Sequence, residues 1–165
     1  MKHCIINTED RQITNYITSL GFNCIPVIPS PRVSAPICAH ADVLYRKINN
    51  NTIIISSCQK ANLPLLEKLG YNVLIEDGLQ PGYKSESLLN YINNDKYVIY
   101  NPKTAFPDEN LFNNKTAITV KQGYTRCSTL SVTDTAYITD DKSIYNALIK
   151  NNLDCLLDIL TSYLY

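Results

Sequence analysis

The chain has no excess of either charge and no block of like charges. Its 165 residues include fifteen basic and fifteen acidic side chains, so the formal net charge at pH 7 is zero. A nucleic-acid-binding protein needs a basic surface to contact phosphate, and an anionic membrane attracts the same kind of surface. The composition therefore argues against nucleic acid and against an anionic membrane as partners.

Long apolar runs are also missing. No stretch approaches the roughly 20 consecutive apolar residues of a membrane-spanning helix. The N-terminal sequence, MKHCIINTEDRQ, lacks the apolar run and the small-residue cleavage site of a signal peptide. We therefore expect a cytoplasmic protein with no membrane partner.

Cysteine is present, but not in a metal-binding pattern. None of the six cysteines forms a Cys-x-x-Cys pair, and the two histidines do not form a His-x3-His pair. We therefore predict no metal site and no cofactor. The cytoplasm keeps thiols reduced, so we expect free thiols rather than three disulfides.

The hydrophobic pattern predicts one small structure that is repeated along the chain. Each repeat consists of a β-hairpin, a helix and a returning strand, and a period of about 35 to 45 residues is typical of repeat architectures. A chain of this length is expected to form a single domain, residues 1–165. The predicted repeats are a partial one at residues 1–29 and complete ones at about residues 38–77, 86–120 and 126–159.

Local signals define the elements within these repeats. The segment Thr8-Glu9-Asp10 is suited to begin the first helix, and Gly21 is suited to end it. Four prolines between Pro26 and Pro36 predict an extended crossing, because proline does not fit a helix interior. The predicted strands are residues 2–7, 23–28, 42–48, 52–56, 72–76, 88–92, 97–101, 116–120, 127–133, 136–139 and 153–158, and the later helices are residues 59–69, 107–112 and 142–151.

The predicted fold class is therefore α/β, in the sense of a mixed α+β protein with pseudo-symmetric ββαβ repeats. One alternative stays open, an ordinary α+β protein with one continuous sheet in which hairpins recur by chance.

Two stretches resemble the guanidino-group-modifying enzymes of the pentein fold, an α/β propeller that translation initiation factor six also adopts. HADVLYRKINNNTIIIS, residues 40–56, resembles their His-x-Asp strand, and GYTRCSTLSV, residues 123–132, resembles the glycine-rich stretch that carries their nucleophilic cysteine. Three longer stretches resemble an uncharacterised family of clostridial proteins, a domain of unknown function with pentein-like repeats: SAPICAHADVLYRKINNNTIII, GYKSESLLNYINNDKYVIYN and VKQGYTRCSTLSVTDTAYITDDKSI.

The resemblance implies an incomplete propeller. A pentein closes with five repeats, whereas this chain supplies three complete ones and one partial one, so we expect a truncated or diverged member. An open propeller leaves strand edges and apolar surface unpaired, and proteins normally cover both. We therefore predict a homodimer that buries the open edge.

The resemblance also implies a chemistry. A guanidino hydrolase or amidinotransferase needs a thiolate nucleophile, a proton-transferring histidine and carboxylates for the cationic group. The resemblance implies that Cys127 is the nucleophile, that His40 transfers protons and that Asp42 supplies a carboxylate. In the pentein enzymes, however, the cysteine lies near the C-terminus, whereas Cys127 is followed by another predicted helix and strand. The residues predicted to bind a guanidino-type substrate are Asp77, Gly123, Tyr124, Ser128, Asp140 and Asp141.

Each candidate also has a structural interpretation. Cys127 can be interpreted as a buried strand residue, because free cysteine is often buried. His40 can be interpreted as a hydrogen-bonded structural residue. Two hypotheses follow. The first is a non-catalytic or diverged module that binds a small molecule or a partner, and the alternative is a cysteine-dependent hydrolase or transferase that acts through Cys127 and His40.

Overall fold

The computed structural model describes residues 2–105 and 114–158, which form a mixed α/β structure. The strands are β1 (Lys2–Ile6), β2 (Phe22–Pro26), β3 (Tyr45–Lys47), β4 (Thr52–Ser56), β5 (Asn72–Glu76), β6 (Ile92–Asn93), β7 (Tyr97–Tyr100), β8 (Thr116–Thr119), β9 (Thr129–Ser131), β10 (Ala136–Thr139) and β11 (Asp154–Leu157). The α-helices are α1 (Arg11–Ser19), α2 (Ala41–Leu44), α3 (Leu63–Lys68), α4 (Tyr83–Glu86) and α5 (Lys142–Lys150), and 3-10 turns lie at Ala35–Ile37 and Ser57–Asn62.

The chain divides into two compact units, an N-terminal unit of residues 1–82 and a C-terminal unit of residues 83–165. Across the described residues the strands form four small sheets and no closed barrel. The N-terminal unit contains sheets β1-β2 and β3-β4-β5, and the C-terminal unit contains sheets β6-β7-β8 and β9-β10-β11. That residues 1–165 form a single domain stays a prediction.

The three-stranded sheets share one pattern of pairing. In each, the first two strands are antiparallel and the third is parallel to the central strand. A parallel return requires a crossover connection, which α3 provides between β4 and β5 and α5 provides between β10 and β11. The corresponding helix predicted at residues 107–112 lies outside the described residues.

Carboxylate caps begin the two longest of the described helices. The Asp10 side chain accepts a hydrogen bond from the Ile13 backbone N–H at 3.0 Å and begins α1, which places the cap at the last residue of the predicted segment Thr8-Glu9-Asp10. Asp141 accepts from the backbone N–H groups of Ser143 and Ile144 at 2.7 and 2.9 Å and begins α5. Each cap satisfies N–H groups that have no partner within the helix.

The core of the C-terminal unit lies between its two sheets and α5. Tyr137 extends from β10 into this core, and its hydroxyl accepts from Asn94 Nδ2 at 2.8 Å and donates to the Asp134 carbonyl at 2.7 Å. This core positions the carboxyl ends of β7, β8, β10 and β11. Its buried members are Ile92, Ile99, Ile118, Val120, Tyr137, Ile144, Leu148 and Leu153.

A buried amide holds the proline-rich segment of the N-terminal unit. Gln59 Nε2 donates to the Ile28 carbonyl at 2.6 Å, and Gln59 Oε1 accepts from the Ile28 N–H at 2.9 Å. The amide thus pairs with the backbone N–H and carbonyl of Ile28, as a neighbouring strand would do, near the start of the segment. The segment is not extended throughout, because Pro36 lies in the 3-10 turn Ala35–Ile37, where an early proline is tolerated.

Three predicted strands are wrong in part, and the predicted strand 127–133 is reduced to β9, Thr129–Ser131. Residues 42–44 of the region predicted as strand 42–48 belong to α2, because its turn buries the adjacent residues Val43 and Leu44 completely, whereas neighbouring residues of a strand point to opposite faces. Residues 88–91 of the predicted strand 88–92 are not strand, and a turn there is closed by a bond from the Asn90 N–H to the Ser87 carbonyl at 2.9 Å. The preceding helix α4 was not predicted.

In the described part of the chain, no helix has the length and apolar character needed to cross a membrane. All six cysteines are free thiols.

Candidate functional site

Cys127 lies in a turn just before β9, although the sequence pattern placed it inside a strand. The turn is closed by the Ser128 N–H, which donates to the Tyr124 carbonyl at 3.1 Å, and by the Thr129 N–H, which donates to the Arg126 carbonyl at 3.3 Å. Cys127 is exposed, whereas the other five cysteines are partly buried. The interpretation of Cys127 as a buried strand residue is therefore wrong.

Asn90 holds this turn in place. Its side chain is fully buried, and its Oδ1 accepts from the backbone N–H groups of Arg126 and Cys127 at 2.8 and 3.2 Å. Its Nδ2 donates to Cys127 Sγ at 3.1 Å. A fixed donor in this position is able to stabilise negative charge that develops on the sulfur.

The loop that leads to Cys127 packs on two side chains of α4. The Tyr83 hydroxyl accepts from the Gly123 N–H at 2.7 Å, and the Tyr124 hydroxyl donates to Glu86 Oε2 at 3.1 Å. The two tyrosine rings meet edge to face, with centroids 5.4 Å apart. Burial and the bond to Glu86 raise the pKa of Tyr124, so its hydroxyl stays protonated and remains a donor.

A cavity of about 250 Å³ opens beside Cys127. It lies at the carboxyl ends of the parallel strands β10 and β11, which Asp140 and Asp158 follow directly. Because these ends meet at one edge of the sheet, both carboxylate residues reach the same cavity. Its lining consists of Cys127, Ser128, Thr129, Leu130, Ile138, Thr139, Asp140 and Asp158.

Hydrogen bonds fix the backbone around this cavity. Thr139 Oγ1 donates to the Ser128 carbonyl at 2.6 Å, and the Asp140 N–H donates to the same carbonyl at 3.3 Å. The Asp158 N–H donates to the Thr139 carbonyl at 2.8 Å. The positions from which the thiol and the two carboxylates extend are therefore set by the sheet.

Asp141 has a different place from Asp140. Its carboxylate caps α5 and accepts from Gln122 Nε2 at 3.2 Å. Burial acts to raise the pKa of Asp141, but hydrogen bonds from Ser143, Ile144 and Gln122 outweigh it, and the pKa lies below its ordinary value. These contacts give Asp141 a structural role, and its role in substrate binding stays a prediction.

In the N-terminal unit, His40 and Asp42 lie together on the first turn of α2. His40 Nδ1 is 3.9 Å from Asp42 Oδ1, and 48% of the His40 side chain is exposed. The His40 carbonyl accepts from the Val43 and Leu44 N–H groups, both at 3.2 Å. The carboxylate is thus placed to orient the imidazole.

Asp77 lies in the loop that follows β5. Arg32 Nη1 donates to the Asp77 carbonyl at 2.9 Å and is 4.0 Å from its carboxylate. A hydrogen bond from Ser57 lowers the pKa of Asp77. Asp77 therefore stabilises a loop, and its role in substrate binding stays a prediction.

The C-terminal unit thus joins three predicted site residues, Cys127, Ser128 and Asp140, in one cavity. Sequence reasoning missed Asp158 and Asn90. Asp158 had a signal, since it follows β11 as Asp140 follows β10. Asn90 had none, because it is 37 residues from Cys127 in the chain. Gly123 and Tyr124 shape the preceding loop, and their contact with a ligand stays a prediction.

A family model matches residues 5–159, which include all these residues. The chain belongs to the DUF6873 family. DUF6873 is described as a family of unknown function, so membership supplies no activity. The expected membership in a domain family of unknown function is thereby confirmed. A search of curated proteins gives no significant match, and the function of this DUF6873 protein has to be argued from its site.

Proposed function

We propose that this DUF6873 protein is a diverged pentein-like binding module that holds a small cationic molecule of the guanidino or amidino class beside Cys127. The observation that carries the proposal is the cavity lining, which contains Asp140 and Asp158 and, among the described residues, no lysine or arginine. A guanidinium group is planar and carries five N–H donors, which suit carboxylate acceptors. A cavity of about 250 Å³ suits one such group rather than a drug-sized ligand.

The pairing of the strands supports the pentein-like part of the proposal. Three sheets have the same sequence of antiparallel and parallel pairs, and β1 and β2 are parallel, as expected for the end of a further repeat. An experimental structure tests this directly. Four repeats related by successive rotations about one axis would support an incomplete propeller, whereas repeats without such a relation would contradict it.

Calorimetric titration with agmatine tests the cation site. Each of Asp140→Asn and Asp158→Asn should weaken binding by about tenfold or more, because each removes a charge-assisted hydrogen bond. Asp154→Asn is the matched control, since Asp154 begins β11 and does not line the cavity. The urea analogue of agmatine, which has an uncharged head group, should bind far more weakly. Equal affinities for all three variants, or for both ligands, would overturn the proposal.

A second candidate function is a cysteine-dependent hydrolase or amidinotransferase, which the Asn90 to Cys127 Sγ hydrogen bond favours. The Cys127 thiolate would attack the guanidinium carbon, and the C–N bond would break as the amine leaves with a proton. Water, or an acceptor amine in a transferase, would then attack the S-bound carbon and release the thiolate. The resemblance gives the proton transfers to His40, which stays a prediction.

Single-turnover mass spectrometry separates the two candidates. An enzyme shows a covalent adduct on Cys127 and then a product, which is a urea for a hydrolase and an amidinated acceptor amine for a transferase, and Cys127→Ser removes adduct and product while Cys38→Ser keeps both. His40→Asn should then slow turnover more than it weakens binding. Binding of agmatine without adduct or product would leave the non-catalytic module as the function.

We also propose that a second copy of the chain covers the outer face of sheet β9-β10-β11. Leu130 and Leu156 both pair with Ile138 in register, so the three side chains form one apolar row. Leu130 and Leu156 are each 62% exposed. Because Leu130 and Ile138 also line the cavity beside Cys127, a second copy on this row would border that cavity. Exposed apolar rows of this kind mark interaction surfaces. In analytical ultracentrifugation the wild type should be a dimer, and Leu130→Asp with Leu156→Asp should give a folded monomer. A monomeric wild type would contradict the proposal.

A further inference from the structure

A second cavity of the C-terminal unit, larger than the one beside Cys127 and sharing none of its described lining residues, lies at the carboxyl ends of the parallel strands β7 and β8. Its volume is about 580 Å³, within the range of small-molecule sites in proteins. One wall is formed by α5. Its lining consists of Asn101, Pro102, Lys103, Thr119, Val120, Lys121, Ser143, Asn146 and Ala147.

The charge of this cavity is opposite to that of the cavity beside Cys127. Among the described residues that line it, the charged ones are Lys103 and Lys121, and none is acidic. Lys103 is the third residue after β7 and Lys121 is the second residue after β8, so both lysines lie just beyond the carboxyl ends of parallel strands, as Asp140 and Asp158 do at the ends of β10 and β11. The same edge of a sheet thus carries two positive charges here.

A buried asparagine fixes both lysine-bearing loops. Asn101 is only 5% exposed, and its Nδ2 donates to the Lys121 carbonyl at 2.6 Å. Its Oδ1 accepts from the Lys103 N–H at 2.9 Å. One side chain therefore holds the backbone of both lysines at the cavity. This lowers the entropic cost of bringing the two charges to one ligand.

We propose that this cavity binds a small phosphate monoester. A phosphate monoester carries about −1.5 to −2 charges at pH 7, which two lysines are able to balance. Arginine is the residue that binds a carboxylate through two parallel hydrogen bonds, and no arginine is among the described lining residues. Lysine binds phosphate as a point charge, so the two lysines favour phosphate over carboxylate. Pro102, Val120 and Ala147 offer an apolar wall to the organic part of the ligand.

The polar groups on α5 have limited roles. The Ser143 hydroxyl already donates to Asp141 Oδ1 at 2.6 Å, so its oxygen is left as an acceptor for a ligand hydroxyl. Asn146 is exposed at the rim and offers an amide to either part of the ligand. The lysines are therefore the groups on which the affinity should depend.

Calorimetric titration of the full chain with glycerol 3-phosphate and with inorganic phosphate tests the proposal. Lys103→Gln and Lys121→Gln should each weaken binding about fivefold, and the double variant about twentyfold, because each removes a partly screened charge from the ligand. Lys150→Gln is the matched control, since Lys150 ends α5 and does not line the cavity. Its affinity should stay within about twofold of wild type.

Two further ligands define the class. Glycerol should not bind, and succinate, which carries a similar charge on carboxylates, should bind more weakly than glycerol 3-phosphate. Circular dichroism checks that each variant is folded. The proposal is overturned if the wild type binds neither phosphate compound at millimolar concentration, if the double variant binds as tightly as the Lys150→Gln control, or if succinate binds more tightly than the phosphate ester.

Discussion

Replacing Gly123 by alanine tests the packing of the loop before Cys127. A Cβ at this position would lie 2.7 Å from Tyr83 Oη, 2.8 Å from Tyr83 Cζ and 3.0 Å from Ser87 Oγ. Ser87 is fully buried, so the relief must come from Tyr83, which is 47% exposed. A displaced Tyr83 loses its bond from the Gly123 N–H, worth about 1 kcal/mol, and its edge-to-face contact with Tyr124, worth about 1 kcal/mol. The free energy of unfolding should therefore fall by about 2 kcal/mol.

Urea unfolding of a double-mutant cycle measures this coupling. In a Tyr83→Ala background the obstructing ring is absent, so Gly123→Ala should cost less than about 1 kcal/mol. The difference between the two costs is the interaction of Gly123 with Tyr83. Equal costs in the two backgrounds would refute the reasoning and show that the alanine is resisted by something other than Tyr83.

Two further predictions concern pH. Asp141→Ala should lower the free energy of unfolding by about 1 kcal/mol at pH 7, and this difference should shrink below about pH 4. Burial acts to raise the pKa of Asp141, but the hydrogen bonds to its carboxylate hold that pKa below the ordinary 3.8. The stabilisation that Asp141 contributes is therefore present above pH 3.8 and is lost as the pH falls through the pKa of the folded state. Urea unfolding at pH 7 and pH 3 measures it, and a constant difference would contradict it. Burial raises the pKa of Tyr45 to about 12, so its stabilisation is present below the unfolded pKa of about 10 and is lost as the pH rises from 10 to 12. Ultraviolet titration of wild type and Tyr45→Phe should show one late-titrating tyrosine fewer in the variant, and an unchanged late step would contradict it.

Sequence patterns predicted those parts of the fold that depend on local chemistry. Strands β4, β5, β7, β10 and β11 lie within one or two residues of their predicted places, because each is a short apolar run bounded by turn residues. The hydrophobic pattern gave the wrong secondary structure where burial determines the backbone conformation. Val43 and Leu44 are both completely buried, and only the tertiary structure shows that a helical turn achieves this.

The same distinction holds for the site. Asp140 was predicted because the resemblance to guanidino-group-modifying enzymes requires carboxylates for the cationic group, and an acidic residue is visible in the sequence. The contact between Asn90 and Cys127 depends on two loops meeting, which no local pattern indicates. The exposure of Cys127 also follows from that contact, since Asn90 holds its turn outside the strand.

Alkylation of Cys127 in the presence of agmatine is the most direct test of the proposed binding site. Peptide mass spectrometry reports the rate at Cys127 and, as an internal control, at Cys38. Saturating agmatine should slow alkylation of Cys127 and leave Cys38 unchanged, and Asp158→Asn should abolish the protection. If Cys127 reacts at the same rate with and without agmatine, the cavity between Cys127, Asp140 and Asp158 does not hold the cation.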